Sequence, residues 1–253
     1  MKLSDLPARI IGKYQRTSAK YRARRMITMR NDTPLISFTF DDFPESALRV
    51  GGAILKSHGF VGTYYASLGL MGQMTPTGLI FSPDDLKALV NDGHELGCHT
   101  FAHCDSWETA PSALEQSVEE NQSALIRLRS GARFATLSYP ITCPRPETKL
   151  RLSHRFECCR FGGQTFNVGS LDLNLVSAHF LEKDGGDAAV IGNLIDQTIR
   201  NRGWLVIATH DIADAHTPYG CTPAFFESVV RDAARSGALV VPVAEALKHV
   251  LRV

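Results

Sequence analysis

The chain has 253 residues and an ordinary globular composition, with 44% hydrophobic and 21% charged residues. This length is sufficient to bury one large core, so a single domain is the expected organisation. No apolar run approaches the roughly 20 residues that a membrane-spanning helix needs, and the first residues lack the apolar core and cleavage site of a secretory signal. We therefore expect a cytoplasmic protein.

The charge is unevenly distributed. Residues 1–30 carry nine lysines or arginines and one acid, whereas residues 31–253 carry 18 basic and 25 acidic side chains. The body therefore has a formal charge of −7, although the whole chain is at +1. We divide the chain into a basic leader, residues 1–30, and a body, residues 31–253.

The leader has two interpretations. A thin apolar stripe among its basic residues favours binding to an anionic membrane surface. Because Pro7 and Gly12 interrupt the helical pattern, a solvated arm, or one that packs against the acidic body, is the alternative. The stripe consists of Leu6, Ile10, Ile11, Tyr14 and Tyr21.

From Leu35 onward, short β-rich runs alternate with helical patterns, which is typical of βα units around a parallel sheet. The predicted strands are residues 35–40, 62–66, 95–98, 132–137, 157–160, 174–178, 204–209 and 239–243. The predicted helices are residues 46–58, 82–91, 111–128, 187–202 and 222–236, followed by a closing helix. This alternation predicts an α/β fold, and the length suits a barrel.

Polar residues follow three of the predicted strands. Asp41 and Asp42 follow the first strand, His99 and His103 the third, and His210, with an aspartate after it, the late apolar strand. Each feature alone is more often structural. Because the carboxyl ends of parallel strands meet at one rim of a barrel, we expect the three groups to lie together.

Two histidines and a carboxylate leave positions open for water and substrate on a zinc-like metal, which is the catalytic arrangement. His99 and His103 are one turn apart if their segment is helical, so both imidazoles can face one ion. Cys98 and Cys104 flank them, and a thiolate zinc site is the alternative. The other cysteines are interpreted as free thiols in a reducing compartment.

Three segments carry a resemblance to a known family. Thr39-Phe40-Asp41-Asp42 looks like its first motif, residues 93–100 followed by His103 like its second, and residues 204–211 like its last. On these motifs the chain resembles the polysaccharide deacetylases of carbohydrate esterase family 4, the NodB-homology proteins, over residues 34–243.

The resemblance implies a distorted (β/α) barrel and a division of roles. Asp42, His99 and His103 correspond to the metal ligands, Asp41 to the general base and His210 to the general acid. The implied cofactor is a divalent metal, with Zn²⁺ expected and Co²⁺ as an alternative. The implied reaction removes an N-acyl group, acetyl in the first place, from an amino sugar in a polysaccharide, an oligosaccharide or a lipid-linked precursor. No nucleic-acid partner is expected.

One departure from the family pattern concerns the base. Ser138 stands where the family has an arginine that orients the aspartate equivalent to Asp41. We name Arg145, the nearest arginine along the chain, as a candidate replacement, against the alternative that it is a surface residue.

Other positions are assigned to substrate binding. Ile141 corresponds to the residue whose backbone N–H binds the oxyanion, with Tyr139 in the same motif, and Ala208 replaces a leucine and is expected to enlarge the acyl pocket. The family's fourth motif has no clear counterpart, although Asp172 and Asn174 lie in its region.

Two alternative functions stay open. The same family includes amidases that act on small non-sugar amides. The missing arginine also motivates a carbohydrate-binding relative without catalytic activity.

Overall fold

The centre of the molecule is a closed parallel barrel. The structure, a computed structural model, describes residues 15–128 and 133–252. Its strands are β1 (Met26–Thr28), β2 (Leu35–Phe40), β3 (Thr63–Ala66), β4 (Met74–Thr75), β5 (Gly78–Leu79), β6 (Glu95–Cys98), β7 (Thr136–Ser138), β8 (Cys158–Gly162), β9 (Ser170–Asp172), β10 (Val176–Phe180), β11 (Trp204–Thr209) and β12 (Leu239–Val240). The barrel order is β2-β3-β6-β7-β8-β10-β11, and pairing of β11 with β2 closes the ring.

Helices cover the outside of the barrel. They are Ala53–Ser57, Pro83–Asn91, Pro111–Leu128, Pro146–Leu152, Ala188–Arg200, Pro223–Arg235 and Val243–Leu251, with a π-helical turn at Ala47–Gly52. Local sequence sets where they begin. Ser82 forms a capping box with Asp85 ahead of a proline at the first helical position. The Thr222 hydroxyl caps Pro223–Arg235 by accepting a hydrogen bond from the backbone N–H of Phe225.

The alternation of β2 decides which side chains reach the site. Phe38 and Phe40 are buried in the outer core beneath the helices, whereas Ser37 accepts a hydrogen bond inside the barrel from Trp204 Nε1 at 3.0 Å. Because side chains alternate along a strand, Asp41 has the same parity as Ser37. Its carboxylate therefore faces inward at the carboxyl end of β2.

The opposite end of the barrel is closed by a buried carboxyl group. Glu95 accepts hydrogen bonds from the hydroxyls of Thr63 (2.8 Å) and Thr136 (2.5 Å), and from the backbone N–H of Ala244 (2.9 Å) at the start of the last helix. Burial raises the pKa of Glu95, although these hydrogen bonds oppose the shift. The rim at the carboxyl ends of the strands is therefore the end that is left for function.

The structure confirms the predicted α/β barrel, with differences at the edges. The strand predicted at 132–137 is the shorter β7, since residues 129–132 lie outside the described part of the chain and 133–135 are not strand. The sequence analysis missed β1 and β9, which pair with each other, and the hairpin β4–β5. These strands are two or three residues long, so they show no periodicity.

Part of the leader packs against the barrel. The guanidinium of Arg25 donates to the carbonyls of Ser153 (2.6 Å), Phe156 (3.0 Å) and Glu157 (2.6 Å). For residues 15–30 the packed alternative therefore describes the structure. The apolar stripe lies outside the described residues except for Tyr21, which is 72% exposed. Among the described helices, none combines the length and apolarity that crossing a membrane requires.

Candidate active site

Asp41 and Asp42 are neighbours whose carboxylates have different surroundings. The backbone N–H of Asp41 extends the ladder by donating to the Thr209 carbonyl at 2.9 Å. Asp42 and Phe43 then adopt left-handed conformations, with φ of 61° and 57°. Phe43 is fully buried and stacks on Phe81 at 4.5 Å, which fixes this turn. Two adjacent residues can therefore serve two roles.

A three-residue cluster at the rim fits a metal ion. Asp42 Oδ1 lies 3.4 Å from His99 Nε2 and 3.1 Å from His103 Nε2. One ligand atom from each of the three side chains falls within 4.8 Å of the others. The set of two imidazoles and one carboxylate is one that Zn²⁺ or a similar divalent ion accepts, with coordination positions left for water and substrate.

The surroundings of the cluster support this fit. His99 Nδ1 lies 2.8 Å from the Ser138 carbonyl, so it must carry the proton and leave the Nε2 lone pair toward Asp42. Asp42 Oδ2 accepts from the Thr77 hydroxyl at 2.9 Å, whereas Oδ1 is buried without a hydrogen-bond donor within the described residues. An orphaned carboxylate oxygen beside two imidazoles is expected where a cation belongs.

The pKa values follow from this crowding. Burial opposes ionisation of Asp42, but the close approach and the charges of the His103 and His99 imidazoles outweigh it and hold its pKa far below the ordinary value. Burial lowers the pKa of His103, yet the adjacent, negatively charged Asp42 carboxylate raises it overall. A strong mutual attraction therefore exists between the carboxylate and the imidazole.

The helical spacing proposed for the histidines is wrong. The segment from His99 to His103 is a loop in which Thr100 and His103 have φ of 60° and 51°, and it brings the two rings to 5.0 Å. The cluster contains neither Cys98 nor Cys104, the two cysteines of the thiolate alternative. Cys98 is fully buried among outer-core residues, accepts from Asn121 Nδ2 at 3.3 Å, and has its pKa raised to about 11 by burial.

Arg160 occupies the role that the sequence analysis assigned to Arg145. From β8, Arg160 Nη2 donates to Asp41 Oδ1, and it also contacts the Ser138 hydroxyl at 2.7 Å. The Ser138 hydroxyl in turn lies 3.4 Å from Asp41 Oδ2. Arg145 instead donates to the carbonyl of Trp107 at 2.5 Å. The Arg145 hypothesis is therefore wrong, because proximity in sequence did not place that guanidinium inside the barrel.

The buried environment of Arg160 explains how an arginine is held there. Its side chain is fully inaccessible, and its guanidinium carbon lies 4.9 Å from the Tyr65 ring centroid and 5.4 Å from that of Phe180. Both rings present π faces that stabilise a cation. Burial alone would raise the pKa of Asp41, but the charge of Arg160, followed by those of His99 and His210, keeps it lowered. The Asp41 carboxyl is accordingly held in its ionised form.

His210 follows β11 on the same rim. Its ring packs against Phe180 at 5.8 Å and Tyr219 at 5.6 Å, and its Nδ1 lies 3.1 Å from the Tyr219 carbonyl. Nδ1 therefore donates a hydrogen bond, which leaves Nε2 as the nitrogen for chemistry. Burial lowers the pKa of His210, and the nearby charges of Asp41 and Asp42 oppose that shift.

A cavity of about 940 Å³ joins these groups. Its walls include Asp41, the three residues of the metal cluster, Arg160 and His210. Glu182, which the sequence analysis did not single out, also lines it, and burial raises its pKa to about 7. The signal available in the sequence was only its place just beyond a strand end, where functional side chains collect.

Of the three residues predicted to bind substrate, two line the cavity and one does not. Tyr139 and Ile141 line the cavity, and Ile141 adopts φ of 63° within a tight turn in which Thr142 N donates to the Pro140 carbonyl at 2.7 Å. Such a conformation is strained for a β-branched residue. Ala208 is fully buried with the barrel interior and is not among the cavity-lining residues. Its effect on an acyl pocket stays a prediction.

Asp172 and Asn174, noted in the region of the fourth motif, hold the leader instead. Asp172 Oδ1 accepts from the backbone N–H of Arg25 at 2.8 Å, and Asn174 Nδ2 donates to the carbonyl of Ala23 at 3.0 Å. Neither residue lines the cavity.

The fold and this site define a class, a parallel β/α barrel with a polar, histidine- and carboxylate-rich site at the carboxyl ends of its strands. Residues 28–154 match the polysaccharide deacetylase family. The chain belongs to that family.

Individual relatives are more distant. A gellan lyase from a Bacillus species is 29% identical over 115 residues, which amount to 46% of this chain but only 4% of that protein. Among solved structures, the Xyl-CE4 domain of a multidomain xylanase from the hindgut metagenome of Trinervitermes trinervoides has a TM-score of 0.62 at 16% identity, with 88% of this chain and 93% of that chain covered.

Two further structures share the fold. A family 4 acetyl xylan esterase from Clostridium thermocellum, in complex with a cobalt ion, has a TM-score of 0.57 at 18% identity and covers 85% of this chain and 90% of its own. BA3943, a CE4 family pseudoenzyme from Bacillus anthracis, has a TM-score of 0.60 at 10% identity, with 87% of this chain and 67% of that chain covered. The fold therefore occurs in proteins described as an enzyme and as a pseudoenzyme.

Proposed function

We propose that this protein is a metal-dependent hydrolase that removes an N-acyl group, acetyl in the first place, from an amino sugar. The observation that carries the proposal is the buried Arg160–Asp41 pair beside the cluster of Asp42, His99 and His103. A non-catalytic relative needs no oriented, ionised carboxylate next to a set of metal-binding side chains. The pseudoenzyme alternative rested on the missing arginine, and Arg160 supplies an equivalent guanidinium from another strand.

The residues divide the reaction among them. When bound, a divalent ion supplies Lewis acidity toward an amide oxygen and toward water. Asp41 is placed to accept a proton from the attacking water, since Arg160 and Ser138 fix its carboxylate and keep it ionised. His210, with Nε2 left toward the cavity, delivers a proton to the departing amine. The backbone N–H of Ile141 is the proposed oxyanion donor.

Release of acetate from an N-acetylated chitin oligomer tests this function. The protein is first stripped with a chelator and then assayed with added zinc or cobalt, in parallel with a small aryl acetamide. Metal-dependent acetate release from the oligomer supports the proposal, whereas release from the acetamide alone favours the small-amide alternative. A metal-loaded protein that releases acetate from neither substrate points to the non-catalytic alternative.

The Asp41→Asn variant separates the two aspartates. We expect it to bind the metal with wild-type stoichiometry and to lose about two to four orders of magnitude in kcat, which is the usual contribution of a positioned general base. Simultaneous loss of metal and activity would show that the roles of Asp41 and Asp42 are exchanged.

A further inference from the structure

Two lysines from distant parts of the sequence reach the cavity. Lys20 belongs to the leader and has its ammonium 5.4 Å from the centroid of the Phe161 ring, and Lys183 belongs to the turn that follows β10. Both line the cavity. Among the residues that the structure describes, neither ammonium has a carboxylate within ion-pairing distance, in contrast to the ammonium groups of Lys56, Lys149 and Lys248. Their charges are therefore free to meet a ligand.

The leader is held firmly on both sides of Lys20. Lys149 is completely buried, and its ammonium donates to the carbonyls of Lys20 at 3.4 Å and Arg22 at 2.6 Å. Ala19 is buried as well, with 1% of its surface exposed. Because the backbone around Lys20 is fixed, its side chain starts beside the cavity and has the reach to place its ammonium there.

Lys183 also stands on a braced turn. His179 Nε2 lies 2.8 Å from Asp184 Oδ2, and both side chains are buried. This pair closes the turn Leu181–Asp184, in which Lys183 is exposed. The loop that presents the second ammonium is therefore anchored to the strand before it.

The two lysines lie across the barrel from the metal cluster. Lys20 lies over a residue of β8, and Lys183 follows β10, which pairs directly with β8. Asp42 follows β2, and the histidines follow β6, with β3 between these strands. Strands β7 and β11 separate the two sides of the ring. A substrate with its amide at the metal cluster would extend toward the lysines.

The charges of the cavity favour an anion on that side. Asp41 pairs with Arg160, and Asp42 faces the two imidazoles. Neither carboxylate is therefore available to neutralise the two lysines. Glu182 lies beside Lys183, and because its pKa is raised to about 7 it is only partly ionised near neutral pH. Uncompensated positive charge in a concave site attracts anionic ligands.

We infer that the substrate carries an anionic group, a carboxylate or a phosphate, which Lys20 and Lys183 bind while its N-acyl group lies at Asp41 and Asp42. This inference rests on the proposed function, and it narrows the substrate class to acidic N-acylated sugars. It also makes the leader part of the substrate site.

Binding is measured by titration calorimetry so that it does not depend on turnover. The ligands are a tetrasaccharide in which N-acetylglucosamine alternates with glucuronate, N-acetylglucosamine 1-phosphate, and neutral chitotetraose. We expect Lys20→Gln and Lys183→Gln each to weaken binding of an acidic ligand about threefold to fivefold, the range of a partly exposed ion pair, and to leave chitotetraose unchanged. The acidic ligand that responds identifies carboxylate or phosphate as the source.

Controls separate charge from structure. Lys20→Arg keeps the charge and should bind like the wild type, and Lys87→Gln removes an exposed lysine on helix Pro83–Asn91, away from the cavity. Three results would overturn the inference. The two cavity variants could bind both acidic ligands as the wild type does, their affinity for chitotetraose could fall as much as that for an acidic ligand, or the wild type could bind no acidic ligand. Acidic binding that depends on the lysines without any acetate release would refute only the proposed function.

Discussion

The protonation state of Asp41 depends on Arg160. An aspartate that is 4% exposed would lose much of its charge without a partner, and the guanidinium provides that partner from inside the barrel. The cost of burying the arginine is offset by Asp41, by Ser138 and by the faces of two aromatic rings. Each partner of the buried pair therefore stabilises the charge of the other.

Substitution of Arg160 should reduce turnover more than metal binding. We expect Arg160→Lys to retain the metal and to lower kcat about 10- to 100-fold, the range for residues that orient a functional group through hydrogen bonds. The acidic limb of its pH–activity profile should lie at higher pH than that of the wild type. A less well compensated Asp41 has a higher pKa, so it is protonated earlier as the pH is lowered. Arg145→Ala is the control, and wild-type kinetics are expected for it. Equal losses in both variants would refute the specific role of Arg160.

The sequence was sufficient to find the aspartates and histidines of the candidate site. Their positions at strand ends predicted that the aspartates and histidines lie on one rim, and the family resemblance selected Asp42, His99 and His103 as the metal ligands. The structure brings these three side chains together. Arg160 was missed because it is 119 residues from Asp41, and which inward positions of two strands face each other is decided by barrel closure. A lone arginine within a predicted strand indicates a buried partner but does not say which one.

At the scale of elements, the leader and the barrel are joined by a small number of buried polar contacts. Strands β2, β6 and β11 were predicted with their observed bounds, because their apolar runs are short and end at turn residues or polar clusters. The leader could not be predicted in the same way. Its contacts include backbone carbonyls bound by Lys149 and Arg25 and the short β1–β9 pairing, and such contacts leave no periodic pattern in the sequence.

Replacement of Lys149 should release the leader. Lys149→Met removes the donor to the carbonyls of Lys20 and Arg22 and leaves them unsatisfied, so we expect the free energy of unfolding to fall by about 1 to 3 kcal/mol. Trypsin should then cleave after Lys20, Arg22 or Arg24 faster than in the wild type. Lys248→Met is the matched control, because the Lys248 side chain is 61% exposed and pairs with Glu245 on the same helix, away from the leader contacts of Lys149. Unchanged cleavage in Lys149→Met would show that other contacts hold the leader.

At the scale of the whole molecule, the two ends of the barrel differ in what they contain. One end is filled by Glu95 and the start of the last helix, and the other end carries the loops that follow β2 and β6. These loops contribute Asp42 on one side and His99 and His103 on the other. A metal ion held by all three side chains would tie together segments that are about 60 residues apart in the chain, as a loop closure of that length does.

Removal of the metal should therefore lower the thermal stability of the whole domain. A ligand present at about 100 times its Kd stabilises the folded state by about 2.7 kcal/mol, and for a domain of this size that corresponds to about 5 to 10 °C in Tm. We expect this decrease when zinc-loaded protein is treated with a chelator, followed by calorimetric melting. His103→Ala serves as the control: its side chain is 27% exposed, so the fold should survive, while bound metal and the effect of the chelator should both be lost. Stoichiometric zinc in purified His103→Ala, or an equal decrease in its Tm, would show that the ion binds elsewhere.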